Sequence, residues 1–283
     1  MVRSRWVCLS LLVGGCLGSG GGSGGGDDDI VGDSDADADV DSDSDADTDA
    51  DTDADTDSDT DSDAVGDPPF GETSGGSGGG ATAGEARRTA DGIDYRIIAP
   101  AGCDAGGACP LMIVFSGVEG GQTMMQNLQG AGSLAGDGLI FAVLDGAVYF
   151  GDGDPGVSVL DEVRAQYDVD NDRTYLLSES AGTRSGLELG FHLRQSYFAA
   201  YWANDVNAAD VPGDDAVALG FTPWGNAGPG GDYADADTIV NGMRDAGYQI
   251  EEPAPYDGPG AGVHGDPQQF MAALQWYVGR SRR

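Results

Sequence analysis

From residue 89 onward the chain alternates short apolar runs with longer segments whose apolar residues recur at helical spacing. The runs at 95–99, 111–115, 139–144, 174–177, 198–203 and 216–221 have the length of strands, and several are apolar at every position. Continuous rather than alternating hydrophobicity marks strands covered on both faces. Segments 157–167, 181–194, 235–246 and 267–278 predict helices, and the polar stretch 170–173 predicts a turn leading into the fourth strand. Strands interleaved with helices predict an α/β fold, a three-layer sandwich with a mostly parallel central sheet.

The first 83 residues break this pattern. Residues 1–15 have the form of an export signal: Arg3 and Arg5 precede a short apolar run, and small residues follow it. At about eight residues, that run is too short to span a bilayer as a helix. Val13-Gly14-Gly15-Cys16 resembles a bacterial lipobox, in which the cysteine becomes the lipid-bearing first residue of the mature chain. Residues 16–83 are a Gly/Ser tract followed by Asp at every odd position from 33 to 63. The stretch 27–67 holds 20 acidic residues and no basic one. With so little apolar content and so much self-repulsion, it predicts a disordered stalk with a reach of about 200 Å when fully extended. The alternating Asp echoes the start of a calcium loop, but the turn glycine and closing glutamate are missing, so diffuse cation condensation is expected instead of defined sites. The expected arrangement is a bacterial envelope protein, its domain periplasmic or extracellular, whose only membrane contact is the lipid on Cys16.

Composition narrows the chemistry. The formal net charge is −36, which disfavours nucleic acid as a partner. All 13 basic residues are Arg, and the absence of Lys excludes a P-loop, a protein kinase, a pyridoxal Schiff base and a Ser-Lys dyad. Two histidines, His192 and His264, are too few for a multi-histidine zinc hydrolase, so neither metal nor cofactor is expected. Residues 84–283 carry 28 acidic groups and 11 Arg, and a domain of this size buries roughly 70% of its unfolded surface. Within it, Cys103 and Cys109 flank a Gly-rich turn. In an oxidising compartment they can pair, closing a small loop that adds about 2 kcal/mol of stability; their spacing excludes a CxxC redox motif.

The chemistry-bearing segment is Tyr175-Leu176-Leu177-Ser178-Glu179-Ser180-Ala181-Gly182, a predicted strand running directly into a predicted helix. Small-x-Ser-x-Gly at that junction resembles the nucleophile elbow of the α/β-hydrolase superfamily, and within it the esterases and polyhydroxybutyrate depolymerases. Such an elbow needs a sharp turn with small flanking residues so that the hydroxyl is pushed out at the helix start. The resemblance, which runs from Ala90 to the end, makes Ser180 the nucleophile, with Ser178 standing where the motif usually has its first Gly. Pro110–Gly121 is similar to the strand and oxyanion loop of these enzymes, with Ser116 in a His position. It implies backbone donors at Val118 and Ala181 for the developing negative oxygen.

Gly260-Ala261-Gly262-Val263-His264-Gly265 is similar to the histidine loop that precedes the closing helix of the superfamily. A histidine on a Gly-rich loop is well placed to move a proton, whereas His192 lies roughly 18 Å beyond Ser180 along a continuous helix. The resemblance implies the chain order Ser, Asp, His, and leaves the acid open: Asp232, Asp205, or none. Trp202, Trp224, Phe221 and Tyr201 fall near strand ends and fit either a rim or a core. The activity implied is hydrolysis of uncharged carboxylic esters, small or polymeric, through an acyl-enzyme. The competing expectation, motivated by Ser178, Ser116 and the displaced acid, is a catalytically degenerate hydrolase-fold protein that binds a ligand or surface partner.

Overall fold

A computed structural model describes residues 67–78, 84–88, 91–100, 103, 108–131, 138–213, 224–227, 232–250 and 252–282. The signal segment 1–15, Cys16, most of the stalk 16–83 and the strand expected at 216–221 lie outside the described residues, whereas residues 67–78, expected in the disordered stalk, pack on the domain: Thr73 bridges to Asp170 and the Arg282 guanidinium donates to the Pro68 carbonyl.

The strands are β1 (Glu85–Arg88), β2 (Asp94–Ile98), β3 (Cys109–Phe115), β4 (Ile140–Leu144), β5 (Val169–Glu179), β6 (Ala200–Asn204), β7 (Trp224–Ala227) and β8 (Gln249–Ile250). They form one sheet in the order β1-β2-β4-β3-β5-β6-β7-β8. β1 and β2 pair antiparallel at one edge, and the other six strands are parallel to one another. The expected mostly parallel α/β sandwich is therefore present.

Alternation along the central strands sorts side chains into two cores. Leu111, Ile113 and Phe115 of β3, with Ala142 and Leu144 of β4 and Tyr201 of β6, face one core. There they meet Val159, Leu160 and Val163 of α2 (Asp154–Gln166) and Ile239, Val240 and Met243 of α4 (Tyr233–Asp245). Met112, Val114, Phe141, Val143, Leu177 and Trp202 face the other. Its cover is Met124, Met125 and Leu128 of α1 (Gly120–Ala131) and Ala273 and Leu274 of α5 (Pro267–Trp276). Burial on both faces is what the unbroken apolar runs foretold. Tyr201 and Trp202 are core residues, 4% and 1% exposed, rather than rim residues; the side chains of Phe221 and Trp224 lie outside the described residues.

Three elements depart from the sequence pattern. Residues 170–173 lie inside β5, not in a turn. Cys109 pairs with Val169 but Leu111 pairs with Thr174, so the polar segment is an irregularity that the strand absorbs. α1 was hidden because it opens on two glycines, although its apolar positions are at helical spacing. The helix expected over 181–194 is broken into a 3-10 turn (Ser180–Gly182), α3 (Thr183–Glu188) and a π segment (Leu189–Leu193). Among the described residues no helix is long and apolar enough to cross a membrane.

Cys103 and Cys109, the first residue of β3, form a disulfide with their Cα atoms 5.5 Å apart. Replacing both by Ala should lower the unfolding free energy by about 2 kcal/mol, seen as a reduced urea midpoint. An unchanged midpoint would show that the loop is held without it.

Candidate active site

The carboxyl ends of four neighbouring parallel strands lie level: Leu144 pairs with Phe115, Phe115 with Ser178, and Ser178 with Ala203. The chain therefore delivers Asp145, Ser116, Ser180 and Asp205 to one edge of the sheet, the edge where open α/β sheets bind ligands.

At the end of β5 the backbone turns through a left-handed conformation at Ser180, φ 49°, and enters the 3-10 turn. An L-residue occupies this region at a cost of roughly 1–2 kcal/mol, so the surroundings must enforce it. They do so by close packing. A Cβ at Gly182 would fall 2.7 Å from the Phe115 side chain and from the Phe115 and Ser116 carbonyl oxygens. Gly146, after β4, packs in turn against Gly182, with a Cβ there only 2.5 Å from the Gly182 Cα. Ser178 is tolerated in the usual glycine position because it is fully buried and shares a 2.8 Å hydrogen bond with the Tyr201 hydroxyl.

Ser180 Oγ lies 2.8 Å from His264 Nε2, a hydrogen bond between residues 84 positions apart. His264 is carried on the loop between β8 and α5. Gly265 beside it, at φ 75°, donates its N–H to Asp205 Oδ2 at 2.5 Å. The other oxygen of Asp205 accepts from Gln269 Nε2 of α5 at 2.7 Å. Asp205 is itself left-handed, φ 49°, and 1% exposed. Its carboxylate thus grips the histidine loop through the backbone and through α5; among the described residues it makes no hydrogen bond to the imidazole.

Asp232 has a different partner. It is the exposed N-cap of α4, accepting the N–H of Asp235 at 3.2 Å, and among the described residues no hydrogen bond joins it to His264. A carboxylate directly ahead of a helical run satisfies an otherwise unpaired N–H, and that local role takes the side chain. His192 pairs with Asp210 at 2.8 Å and takes no part in the site.

Val118 projects its side chain into solvent, 79% exposed, from the loop after β3, and Ala181 lies in the first turn after Ser180. Among the described residues neither backbone N–H donates to another protein group, as orphan donors at a helix start do not. The N–H of Gly117 is taken by Glu119 Oε1 at 3.0 Å.

Two acids that the sequence did not single out, Glu119 and Glu179, border the site. Burial pushes the Glu179 carboxyl up to about 8, helped by the negative charges of Glu119 and Asp205 and opposed by a hydrogen bond from Asn204. Glu119 is raised mainly by burial, with the N–H groups of its own residue and Gly117 opposing, and Asp145 and Asp205 adding to the rise. Polar residues in a Gly-rich loop and at a strand end give no sign of burial in sequence. Among the described residues no cluster of acids, histidines and cysteines has metal-holding geometry.

No known protein-family pattern matches the sequence, and no curated protein is similar to it in sequence. Among solved structures, the fold is similar to a thermostable esterase, with a TM-score of 0.51 and 16% identity over 70% of this chain and 62% of that one. This chain thus spans less than two thirds of that esterase. The poly(3-hydroxybutyrate) depolymerase LpqC of Bordetella parapertussis is similar with a TM-score of 0.50 and 16% identity over 68% of this chain and 87% of that one. At such identities the likeness is one of architecture: the chain has the α/β-hydrolase fold.

Because the folded state raises Glu179 above its ordinary value, it favours the protonated form. That contribution is complete below about pH 4.5 and is lost as pH rises through about 8. Glu179→Gln, neutral throughout, should therefore gain in melting temperature relative to the wild type as pH is raised from 5 to 9. A difference independent of pH would refute a buried, proton-bearing Glu179.

Proposed function

We propose that the protein is a serine hydrolase of carboxylic esters that carry no negative charge. The observation that carries this reading is the 2.8 Å hydrogen bond from Ser180 Oγ to His264 Nε2 at a left-handed turn on the ligand-binding edge of an α/β-hydrolase sheet. In the reaction, Ser180 Oγ attacks the ester carbonyl carbon while its proton passes to His264 Nε2. The carbonyl oxygen, now negative, is received by the N–H groups of Val118 and Ala181. His264 then returns the proton to the departing alcohol, leaving an acyl group on Ser180. A water molecule, deprotonated by the same imidazole, releases the acid and restores the hydroxyl.

Asp205 serves as the positioning residue, holding the histidine loop through Gly265 and α5 through Gln269. Substrate character follows from the surroundings. Val118, Val148, Phe150 and Val263 are exposed on loops that follow parallel strands, and Tyr233 is exposed at the start of α4, offering apolar contacts to an acyl chain or polymer. The acids of the site repel an anionic ester. A second reading, a hydrolase-fold binding protein without turnover, draws on the imidazole's lack of a carboxylate partner among the described residues. Location in the bacterial envelope, with a lipid on Cys16 and a long acidic tether, is proposed from the sequence of residues 1–63 alone.

Ser180→Ala and His264→Ala should each lower kcat/KM for p-nitrophenyl butyrate by about 10³-fold or more. Asp205→Asn should lower it about 10- to 100-fold, by loosening the loop that sets the imidazole. Asp232→Ala should leave turnover within about twofold and remove about 1 kcal/mol of stability as a lost cap. Activity that survives in Ser180→Ala would overturn the assignment, and folded protein with no turnover would favour the binding reading. Metabolic incorporation of palmitate should be lost in Cys16→Ser; incorporation that persists would refute the anchor.

A further inference from the structure

A cavity of about 540 Å³ opens between the loop after β3, the start of α1, the loop after β4 and strand β2. Its charged lining is Glu119, Asp94, Asp145 and Arg96. Glu119 links this cavity to Ser180. A side chain at Gly117 would run into the Glu119 carboxylate and at the same time sit 3.3 Å from Ser180 Cβ. The carboxylate and the nucleophile thus border the same small volume, on the side from which the oxyanion loop approaches.

The other charged groups do not neutralise Glu119. Asp145 is committed to the fold, accepting the N–H groups of Gly121, Ala147 and Val148 at 3.4, 3.2 and 3.4 Å. The Arg96 guanidinium points to Gln122 Oε1 at 3.3 Å and to the Gly84 carbonyl at 3.5 Å. The charges that act on Glu119 are those of Asp145 and Asp205, both negative, and Glu179 feels Glu119 and Asp205, again both negative. An uncompensated anion near the scissile carbonyl also opposes the negative charge that develops in the transition state. A positive group on the substrate, lodged in the cavity, removes that opposition and gains Coulomb energy in a partly desolvated place.

We propose that Glu119 is a specificity-determining residue that, with the cavity it lines, selects esters bearing a cationic ammonium group. The inference rests on the hydrolase reading above and names its substrate class. The cavity, and not the acids alone, sets the selection: it places an ammonium group against Glu119 while the carbonyl lies at Ser180.

The test compares matched pairs that differ only in charge. One pair is acetylcholine against its neutral isostere 3,3-dimethylbutyl acetate; the other is p-nitrophenyl ε-aminocaproate against p-nitrophenyl heptanoate. In the wild type at low salt, kcat/KM should favour the cationic member of at least one pair by about tenfold, and the ratio should shrink as salt is added. Glu119→Gln should bring that ratio close to one. Asp94→Asn, on the cavity wall away from the nucleophile, should reduce it by about two- to threefold and serves if the first variant does not fold. A wild-type ratio at or below one in both pairs, with neutral esters still cleaved, overturns this inference alone. So does a ratio unchanged in folded Glu119→Gln. Failure to cleave either member of either pair overturns the hydrolase reading and the inference with it.

Discussion

The chemistry proposed for this protein depends on one hydrogen bond, between a hydroxyl and an imidazole that lie 84 residues apart in the chain. Neither group would arrive at that contact on its own. Level strand ends bring Ser180 and Asp205 to the same edge of the sheet, and each leaves its strand through a left-handed residue. Gly182 and Gly146 remove the side chains that would prevent the nucleophile turn from closing onto β3. On the other side, Asp205 ties down the residue after His264 and a buried glutamine of the helix that follows it. The strain of two left-handed residues is thus held by the packed sheet, and the result is a fixed distance between the Ser180 hydroxyl and the His264 imidazole.

The electrostatic surroundings are unusual for the oxyanion chemistry proposed at this site. Glu119, Glu179 and Asp205 lie within reach of one another's fields, and burial raises the pKa of Glu119 and takes that of Glu179 to about 8. A proton retained on Glu179 lessens the negative field around the reaction. The chain has no lysine to offset these acids, and the arginine on the cavity wall is turned to other partners. The net charge of the whole chain therefore continues, in miniature, into the site.

The central architecture was legible because parallel strands buried on both faces must be apolar throughout. Residues 111–115 and 139–144 announce themselves for that reason, and the structure places Cys109–Phe115 and Ile140–Leu144 there. The elbow was legible because its sterics demand small residues at fixed spacing around Ser180. The short strands Trp224–Ala227 and Gln249–Ile250, next to and at the sheet edge, were not, since so few residues show no readable apolar pattern. Chain order pointed first to Asp232, where sequence spacing alone cannot distinguish a helix cap from a catalytic acid. What brings Asp205 to the histidine loop is the pairing of β5 with β6, a tertiary fact with no local signature. Glu119 and Glu179 stayed unseen for the same reason: burial by distant elements, not their neighbours in the chain, makes them unusual.

The most direct test of the central claim is to react the folded protein with a fluorophosphonate and locate the adduct by intact-mass and peptide-level mass spectrometry. A nucleophile activated by His264 should give one adduct per chain, on Ser180, and none in the His264→Ala protein. An unmodified folded protein, or an adduct on Ser178 or Ser185 instead, would contradict the account.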